Sequence, residues 1–334
     1  MEANKKIKTA MVGLGKIAWV YEDDPLVGKS DDFPTHFKVL RNHPHFRLAA
    51  VQDNSADARK KFSNKLKNIK LSVKIYDDWE EMIIREKPEL LVVASNTESH
   101  VEICSRAIDL GIKNILCEKP LSYSFIKAKR LVKKAERNTC AVFVNYVRAF
   151  NPSYIELCKK IQQGFCGGIQ SFDFKYSKGI FNNGTHALDL LIRMFGDVDN
   201  VLGLRNPTCP VRVIDPTVSA VLKFKNGING YMYGLNNDFY NIFELDILGE
   251  RCRIKISSDK ALLSVRKNIA GCNTLVTAPD KNLIDTRKGL YPVYDNIYMS
   301  FCLGDETVIR CSGRDALKSL EIADKIVRSI KKKR

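Results

Sequence analysis

Ile7-Lys8-Thr9-Ala10-Met11-Val12-Gly13-Leu14-Gly15-Lys16-Ile17-Ala18 is the stretch that decides the fold. A short apolar segment, Ile7 to Val12, runs directly into two glycines and a small residue, the pattern of a strand turning tightly into a helix beneath a dinucleotide. The first glycine permits the turn, the second lets a pyrophosphate approach the backbone, and Ala18 lets helix pack closely on strand. Gly13, Leu14, Gly15, Lys16, Ile17 and Ala18 are therefore expected to hold a nicotinamide or flavin cofactor, with phosphate on the amides of the helix N-terminus. Taken alone, the same glycines also fit a purely structural turn.

The apolar pattern beyond Ala18 favours the cofactor. Apolar runs recur at Phe46 to Val51, Leu90 to Ala94, Ile115 to Cys117 and Ala141 to Val144, separated by segments of helical periodicity, which is how a buried parallel sheet with crossover helices reads. The alternation ends near residue 145, and 334 residues exceed one typical core. The expected fold is α/β: a Rossmann-type doubly wound parallel sheet over residues 1–145, then an α+β domain over 146–334 with a largely antiparallel open sheet.

Composition narrows the function. Ten cysteines lie without a CxxC pair, and Cys117 and Cys140 fall in or beside apolar strands, so they read as buried thiols of a reducing compartment, with no metal site. Lys5, Lys6 and Lys8 precede an apolar stretch as in a signal peptide, but Lys16 and the glycines interrupt it and no cleavage site is found after it. No apolar run is long enough to span a bilayer, which makes a cytoplasmic protein without a membrane partner the expectation. The formal charge of +16 and the clusters Arg59–Lys61, Lys127–Lys134 and Lys331–Arg334 invite a nucleic-acid reading. Lys127, Arg130 and Lys134, however, have the spacing of one solvated helix face, and the terminal cluster reads as a frayed tail, so no nucleic-acid partner is expected. An anionic small substrate fits the charge better.

The segment Tyr21 to Pro34, with Glu22, Asp23, Asp24, Pro25, Gly28, Asp31 and Asp32, carries turn chemistry and reads as an insertion, the helix resuming at Thr35 to Asn42. The second strand ends at Gln52-Asp53, which places Asp53 for the adenosine ribose. A carboxylate there accepts from the ribose hydroxyls and repels a 2′-phosphate, favouring NAD, while Arg59 and Lys60 leave NADP open. The fourth strand delivers Ser95-Asn96-Thr97 to the sheet's carboxyl edge, where ligands bind in such folds. His100 reads as a helix-surface or capping histidine and Thr97 as an ordinary N-cap. The next strand delivers Glu118-Lys119-Pro120, a charged pair fixed by proline. A lysine beside bound nicotinamide could hydrogen-bond the reacting hydroxyl and, its pKa lowered by burial and positive charge, exchange its proton.

With the glycine turn, the Glu118-Lys119-Pro120 strand end and His186 in view, nearly the whole chain resembles the Gfo/Idh/MocA family of NAD(P)-dependent oxidoreductases. Asn145-Tyr146-Val147-Arg148, Tyr176-Ser177-Lys178-Gly179 and Asn182-Asn183-Gly184-Thr185-His186 look most like a branch associated with bacterial surface-polysaccharide and sugar-nucleotide pathways. The resemblance implies that Lys119 and His186 are catalytic, that Glu118 and Pro120 shape the cofactor site, and that the open sheet of the second domain makes a homodimer or homotetramer. It departs at Asn182, where relatives commonly carry an aspartate; an asparagine cannot act as a base but can hold a sugar hydroxyl.

His186 has support from the residues themselves. Leu188, Leu191, Ile192 and Phe195 form an apolar helical stripe, leaving His186 and Asp189 on another face, one turn apart at the helix start, where Asp189 could orient the imidazole. Elsewhere in the second domain Asn151-Pro152 starts a helix ending by Gly164, Ala220, Leu222 and Phe224 alternate into an Asn226-Gly227 hairpin, and Phe243–Leu248 meets Arg251–Ile256 across Gly249-Glu250. An amphipathic helix covers 314–330.

The function expected is hydride transfer between nicotinamide and a sugar or sugar-nucleotide hydroxyl carbon. Lys119, Asn145, Arg148, Lys178, Asn182, His186 and Asp189 are the candidate substrate contacts, Arg148 and Lys178 for an anionic group. The alternatives are a redox-neutral enzyme of epimerase or lyase type on tightly held NAD, and a non-catalytic NAD-binding sensor, which Asn182 supports.

Overall fold

The computed structural model describes residues 6–25, 27, 33–209, 214–257, 260–285 and 288–331. Gly28, Asp31 and Asp32 of the insertion, Lys5, and Lys332 to Arg334 of the basic tail lie outside them. The chain divides into two compact units, Met1–Phe150 with Arg287–Ala316, and Asn151–Thr286 with Leu317–Arg334.

In the first unit, six parallel strands, β1 (Ile7–Val12), β2 (Phe46–Gln52), β3 (Lys74–Tyr76), β4 (Leu90–Val93), β5 (Asn114–Cys117) and β6 (Ala141–Val144), stand in the order β3-β2-β1-β4-β5-β6. The order reverses between β1 and β4, the switch point outside which such sheets bind ligands. Every residue of β4 and β6 is buried, as expected of strands covered on both faces. The crossovers run through α1 (His36–Asn42), α2 (Ala56–Asn68), α3 (Trp79–Glu86), α4 (Thr97–Asp109) and α5 (Phe125–Arg137), and a single turn, α6 (Val147–Phe150), comes after β6.

The first crossover is a helix cut in two. Trp19 N donates to Gly15 O, closing one turn after the glycines, and a short 3-10 turn, Val20–Asp23, comes next. Past the insertion, α1 is capped by Thr35 Oγ1, which accepts from Lys38 N at 3.1 Å. The first amides of α1 then donate to carbonyls of the severed turn, His36 N to Ile17 O and Phe37 N to Ala18 O. Those amides would otherwise be orphans of a helix start, so the insertion leaves the original helix spliced.

The second unit holds α7 (Pro152–Gln162), β7 (Ile169–Tyr176), α8 (Thr185–Phe195) and the strands β8 (Val198–Arg205), β9 (Val218–Phe224), β10 (Asn229–Gly234), β11 (Phe243–Gly249), β12 (Cys252–Ser257), β13 (Lys260–Ile269) and β14 (Cys272–Asn282). They form one sheet, β14-β13-β12-β11-β7-β10-β9-β8, antiparallel except where β10 runs parallel to β7. Both expected hairpins are present, β9–β10 across Asn226-Gly227 and β11–β12 across Gly249-Glu250. Asn151 caps α7 by accepting from Ser153 N and Tyr154 N, with Pro152 at the first helical position. Phe172, Phe195 and Phe224 meet ring against ring where α8 packs on the sheet.

The single boundary expected at residue 145 is corrected. Residues 287–316 return to the first unit, where α9 (Tyr291–Leu303) lays Tyr294 edge-on against Phe46 and Tyr298 stacked 3.7 Å from His45. Apolar burial against α1 and β2, more than two hundred residues earlier in the chain, outweighs continuity with the second unit. The last helix, α10 (Gly313–Lys331), contains the expected amphipathic span. No helix among the described residues is long and apolar enough to cross a membrane.

Candidate functional site

Gly13 turns at φ +94°, and a Cβ there would lie 2.6 Å from Ala94 O and 2.7 Å from Ser95 N, so the turn and the close approach to β4 both require glycine. Gly15 differs: a Cβ on it would meet nothing within 4 Å. Between these glycines, Leu14 N donates to Asp53 Oδ2 at 2.8 Å, and Ser55 N donates to Asp53 Oδ1 at 2.8 Å. Asp53 therefore stands half-buried at the end of β2, tied to the glycine turn. Arg59 spends its guanidinium on the carbonyls of Asp53 and Asn54, at 2.7 and 3.0 Å. Lys16 is exposed, Ile17 half-buried and Ala18 fully buried beneath the turn.

At the ends of β4 and β5 the strand termini are pinned by a histidine. His100 is buried, not on the helix surface as expected: Nδ1 lies 2.9 Å from Pro120 O and Nε2 3.1 Å from Ser95 O, holding the two loops together. Burial pushes its pKa down, outweighing the two carbonyls that favour the charged ring. Asn96, not Thr97, is the N-cap residue of α4, and its Oδ1 accepts from Ser99 Oγ at 2.8 Å. Ser99 Oγ also lies 2.8 Å from Ser95 Oγ.

Glu118 is the centre of the first unit's polar core. Its Oε1 lies 3.0 Å from His36 Nε2 and accepts from Asn145 Nδ2 at 2.6 Å, while Lys119 N donates to Oε2 at 3.3 Å. Tyr294 OH lies 2.8 Å from the other ring nitrogen, His36 Nδ1. Burial, with the Glu118 charge nearby, pushes the Tyr294 phenol well up, so it keeps its proton beside the His36 ring, and Glu118 accepts from His36 Nε2–H. Burial alone would raise the Glu118 carboxyl, but His36, Asn145 and the Lys119 charge outweigh it and hold its pKa below the ordinary value. Glu118 is thus an ionised, fully engaged carboxylate, and half-buried Lys119 leaves β5 directly from it through a cis peptide bond to buried Pro120. Arg148 lies half-buried in α6, three residues beyond Asn145.

In the second unit, Lys178 is exposed in the left-handed region at φ 69°, and a π-helical turn, Gly179–Gly184, leads into α8. Asp215 sits over that turn. Phe181 N donates to its Oδ1 at 2.7 Å and Asn182 N to its Oδ2 at 3.2 Å, and a Cβ on Gly179 would lie 2.3 Å from its carboxyl. His186 is buried in the first turn of α8, edge-on to Phe243 at 6.4 Å between ring centroids. Asp189, one turn on, is buried and accepts from Arg193 Nε at 2.8 Å and Nη2 at 3.2 Å. A loop after β10 carries Phe239, 76% exposed, and Tyr240, 63% exposed. It is tied to this end of β7 by Ser177 N to Ile242 O at 3.1 Å and by Asn183 Nδ2 to Asn241 Oδ1 at 3.4 Å.

The structure brings together the glycine turn with Asp53, and the ends of β4, β5 and β6 with Glu118 and Asn145; separately it sets Asn182 in the π-helical turn that leads into α8 and His186 in the first turn of α8. Sequence reasoning missed His36, Tyr294 and Asp215. The insertion hid His36, and nothing local marks the other two. The residues fit a dinucleotide: the space over Gly15 is open to a phosphate approaching the backbone, and Asn145 Oδ1 is a buried acceptor with no partner among the described residues. Gly13–Ala18 and Asp53 would hold the adenosine pyrophosphate half, and the ends of β4, β5 and β6 the nicotinamide half.

Known proteins agree. A family model described as an oxidoreductase family, NAD-binding Rossmann fold, matches residues 7–146, and its companion, the family's C-terminal alpha/beta domain, matches residues 177–334. An uncharacterized oxidoreductase of Schizosaccharomyces pombe is 25% identical over 214 residues, 58% of this chain and 53% of that protein, so the chain spans about half the length of that relative. Myo-inositol 2-dehydrogenase of Thermotoga maritima is 23% identical over 272 residues, 74% of each chain. The crystal structure of the WlbA dehydrogenase from Chromobacterium violaceum, in complex with NADH and UDP-GlcNAcA, superimposes with a TM-score of 0.76 at 18% identity, covering 99% of this chain and 96% of that one. The first unit is an NAD-binding Rossmann domain, and the chain belongs to the Gfo/Idh/MocA oxidoreductase family.

Proposed function

We propose that the protein is an NAD-dependent dehydrogenase that exchanges a hydride between nicotinamide and the hydroxyl-bearing carbon of a sugar or sugar nucleotide. The observation that carries this reading is the placement of Lys119: a half-buried lysine at the carboxyl end of a central parallel strand, on a backbone fixed by the buried Glu118 cluster. Bound nicotinamide supplies the hydride acceptor. Lys119 donates a hydrogen bond to the substrate oxygen and stabilises the negative charge that grows on it, and His186 takes the hydroxyl proton as general base. Asn182 holds a neighbouring hydroxyl, and Arg148 and Lys178 meet an anionic group. Asp53 at the ribose favours NAD over NADP.

The substrate class has support from relatives named for inositol oxidation and for a complex with UDP-GlcNAcA. Lys119→Ala should lower kcat by about 10²–10⁴-fold while NADH affinity stays within about twofold. Equal loss of both would mean that Lys119 builds the cofactor site and does no chemistry. Asn182 favours a second reading, an NAD-binding sensor, because an amide cannot serve as a base; a parent protein that binds NADH and turns over nothing would support it. The outer face of the large sheet exposes Leu202, Leu204, Tyr231 and Tyr233, and we assign it to a homodimer or homotetramer contact. Light scattering that finds a monomer would refute that assignment. A cytoplasmic location is inferred from the eight buried cysteines.

A further inference from the structure

We infer that the side-chain carbonyl of Asn145 is the acceptor for the amino group of the nicotinamide carboxamide, set in that orientation by the buried chain Tyr294–His36–Glu118. Asn145 stands just after β6 at the carboxyl edge of the sheet, on the side of the switch point that receives the second mononucleotide half. Asn145 is 4% exposed. A primary amide has a donating end and an accepting end, and which one faces which neighbour is settled by the neighbour's chemistry. Here that neighbour is Glu118 Oε1, 2.6 Å from Asn145 Nδ2. The carboxylate can only accept, and the same Oε1 also lies 3.0 Å from His36 Nε2, whose other ring nitrogen is 2.8 Å from Tyr294 OH. The amide must therefore turn its NH₂ to Glu118, and Oδ1 is left pointing away, buried and without a donor among the described residues.

A buried carbonyl without a donor is unfavourable unless a ligand supplies one. The ligand group must be a hydrogen-bond donor, and on the nicotinamide ring the one such group is the carboxamide NH₂. Three distant segments, α1, the end of β5 and α9, thus converge on a single lone pair. Asn145 is by this account a cofactor contact, a different role from the substrate contact expected from the sequence.

The inference rests on the reading of the first unit as a nicotinamide site but not on the identity of the substrate, so its test is a binding measurement without turnover. Calorimetric titration of the full chain with NADH and with reduced 3-acetylpyridine adenine dinucleotide, in which a methyl group replaces the NH₂, should show NADH tighter by about five- to a hundredfold. Asn145→Ala should bring the two ligands to within about twofold of each other, chiefly by weakening NADH. Equal affinities in the parent protein would overturn the inference, and so would a preference that survives in Asn145→Ala. The comparison within the parent needs no variant to fold. Absence of any NADH binding would overturn the cofactor reading itself, an outcome distinct from equal binding of the two ligands.

Discussion

The two glycines of the first turn should fail in opposite ways, and the contrast can be worked from the structure. Gly13→Ala places a methyl 2.6 Å from Ala94 O and 2.7 Å from both Ala94 C and Ser95 N. All three are backbone atoms of a chain fixed by Ala94 N donating to Val12 O at 2.8 Å, so they cannot swing aside as a side chain tip would. Overpacking of a rigid site costs about 1–3 kcal/mol, and an L-residue at positive φ a further ~1–2 kcal/mol, so a loss of about 2–5 kcal/mol is expected. Gly15→Ala adds a methyl to open space, with the backbone outside the left-handed region, and should leave stability within about 0.5 kcal/mol. That methyl occupies the volume a pyrophosphate needs, so NADH affinity should fall by about ten- to a hundredfold, which is about 1.4–2.8 kcal/mol. Urea unfolding of both variants, paired with NADH titration of Gly15→Ala, measures the two effects. The reasoning is refuted if Gly15→Ala binds NADH like the parent, or if it unfolds as readily as Gly13→Ala.

Three other perturbations have equally definite outcomes. Hydrogen bonds from Lys74 Nζ and Tyr76 OH, strengthened by Lys8 and opposed by burial, hold the Glu86 carboxyl at about 2 against an ordinary 4.5. A carboxyl whose folded pKa is depressed contributes stability that is full above about pH 4.5 and is lost as pH falls toward 2. The stability gap between parent and Glu86→Gln, tracked by urea midpoint against pH, should therefore close across that window; a gap of constant size would refute it. On the proposed placement of Asp53 at the ribose, Asp53→Asn removes the charge facing a 2′-phosphate and should shift the NADPH-to-NADH affinity ratio toward NADPH by about fivefold or more, the worth of ~1 kcal/mol of like-charge repulsion. An unchanged ratio would show that Asp53 does not face the ribose. Asp215→Ala frees the amides of Phe181 and Asn182 and should cost about 2 kcal/mol in urea unfolding, with Asp215→Asn recovering part of it; a cost below about 0.5 kcal/mol would mean that water replaces the carboxylate without loss.

The parts of the fold legible in the sequence are those whose signal is local. Strands β4 and β6 are apolar throughout, and β5 is apolar from Ile115 on, because both faces are covered, while β9 and β11 alternate because one face is open, so each announces its environment. The three half-exposed or exposed residues of β3 carry no such pattern. Helix α9 went unseen because its burial depends on α1 and β2, to which no local spacing points.

The site divides the same way. The positions of Gly13 at the turn, Asp53 at the end of β2 and Lys119 after β5 were readable because strand ends and turns restrict which residue types fit. His100 was misread because one histidine in a helix looks alike on the surface and in the core, and its two carbonyl partners come from separate loops. His36, Tyr294 and Asp215 act across separations of 82, 258 and 34 residues, where only the folded chain decides the neighbour. The departure at Asn182 was visible, whereas the carboxylate that Asp215 brings to the same turn was not.

The proposed reaction is hydride transfer from the hydroxyl-bearing carbon of a sugar to nicotinamide. The protein loaded with NAD, mixed in single turnover with a panel of sugars, inositols and nucleotide sugars, should show reduced-nicotinamide absorbance rise with at least one compound, and Lys119→Ala should slow that rise by about 10²-fold or more. NADH binding without a rise from any of them, or a rise that Lys119→Ala leaves unchanged, would contradict it.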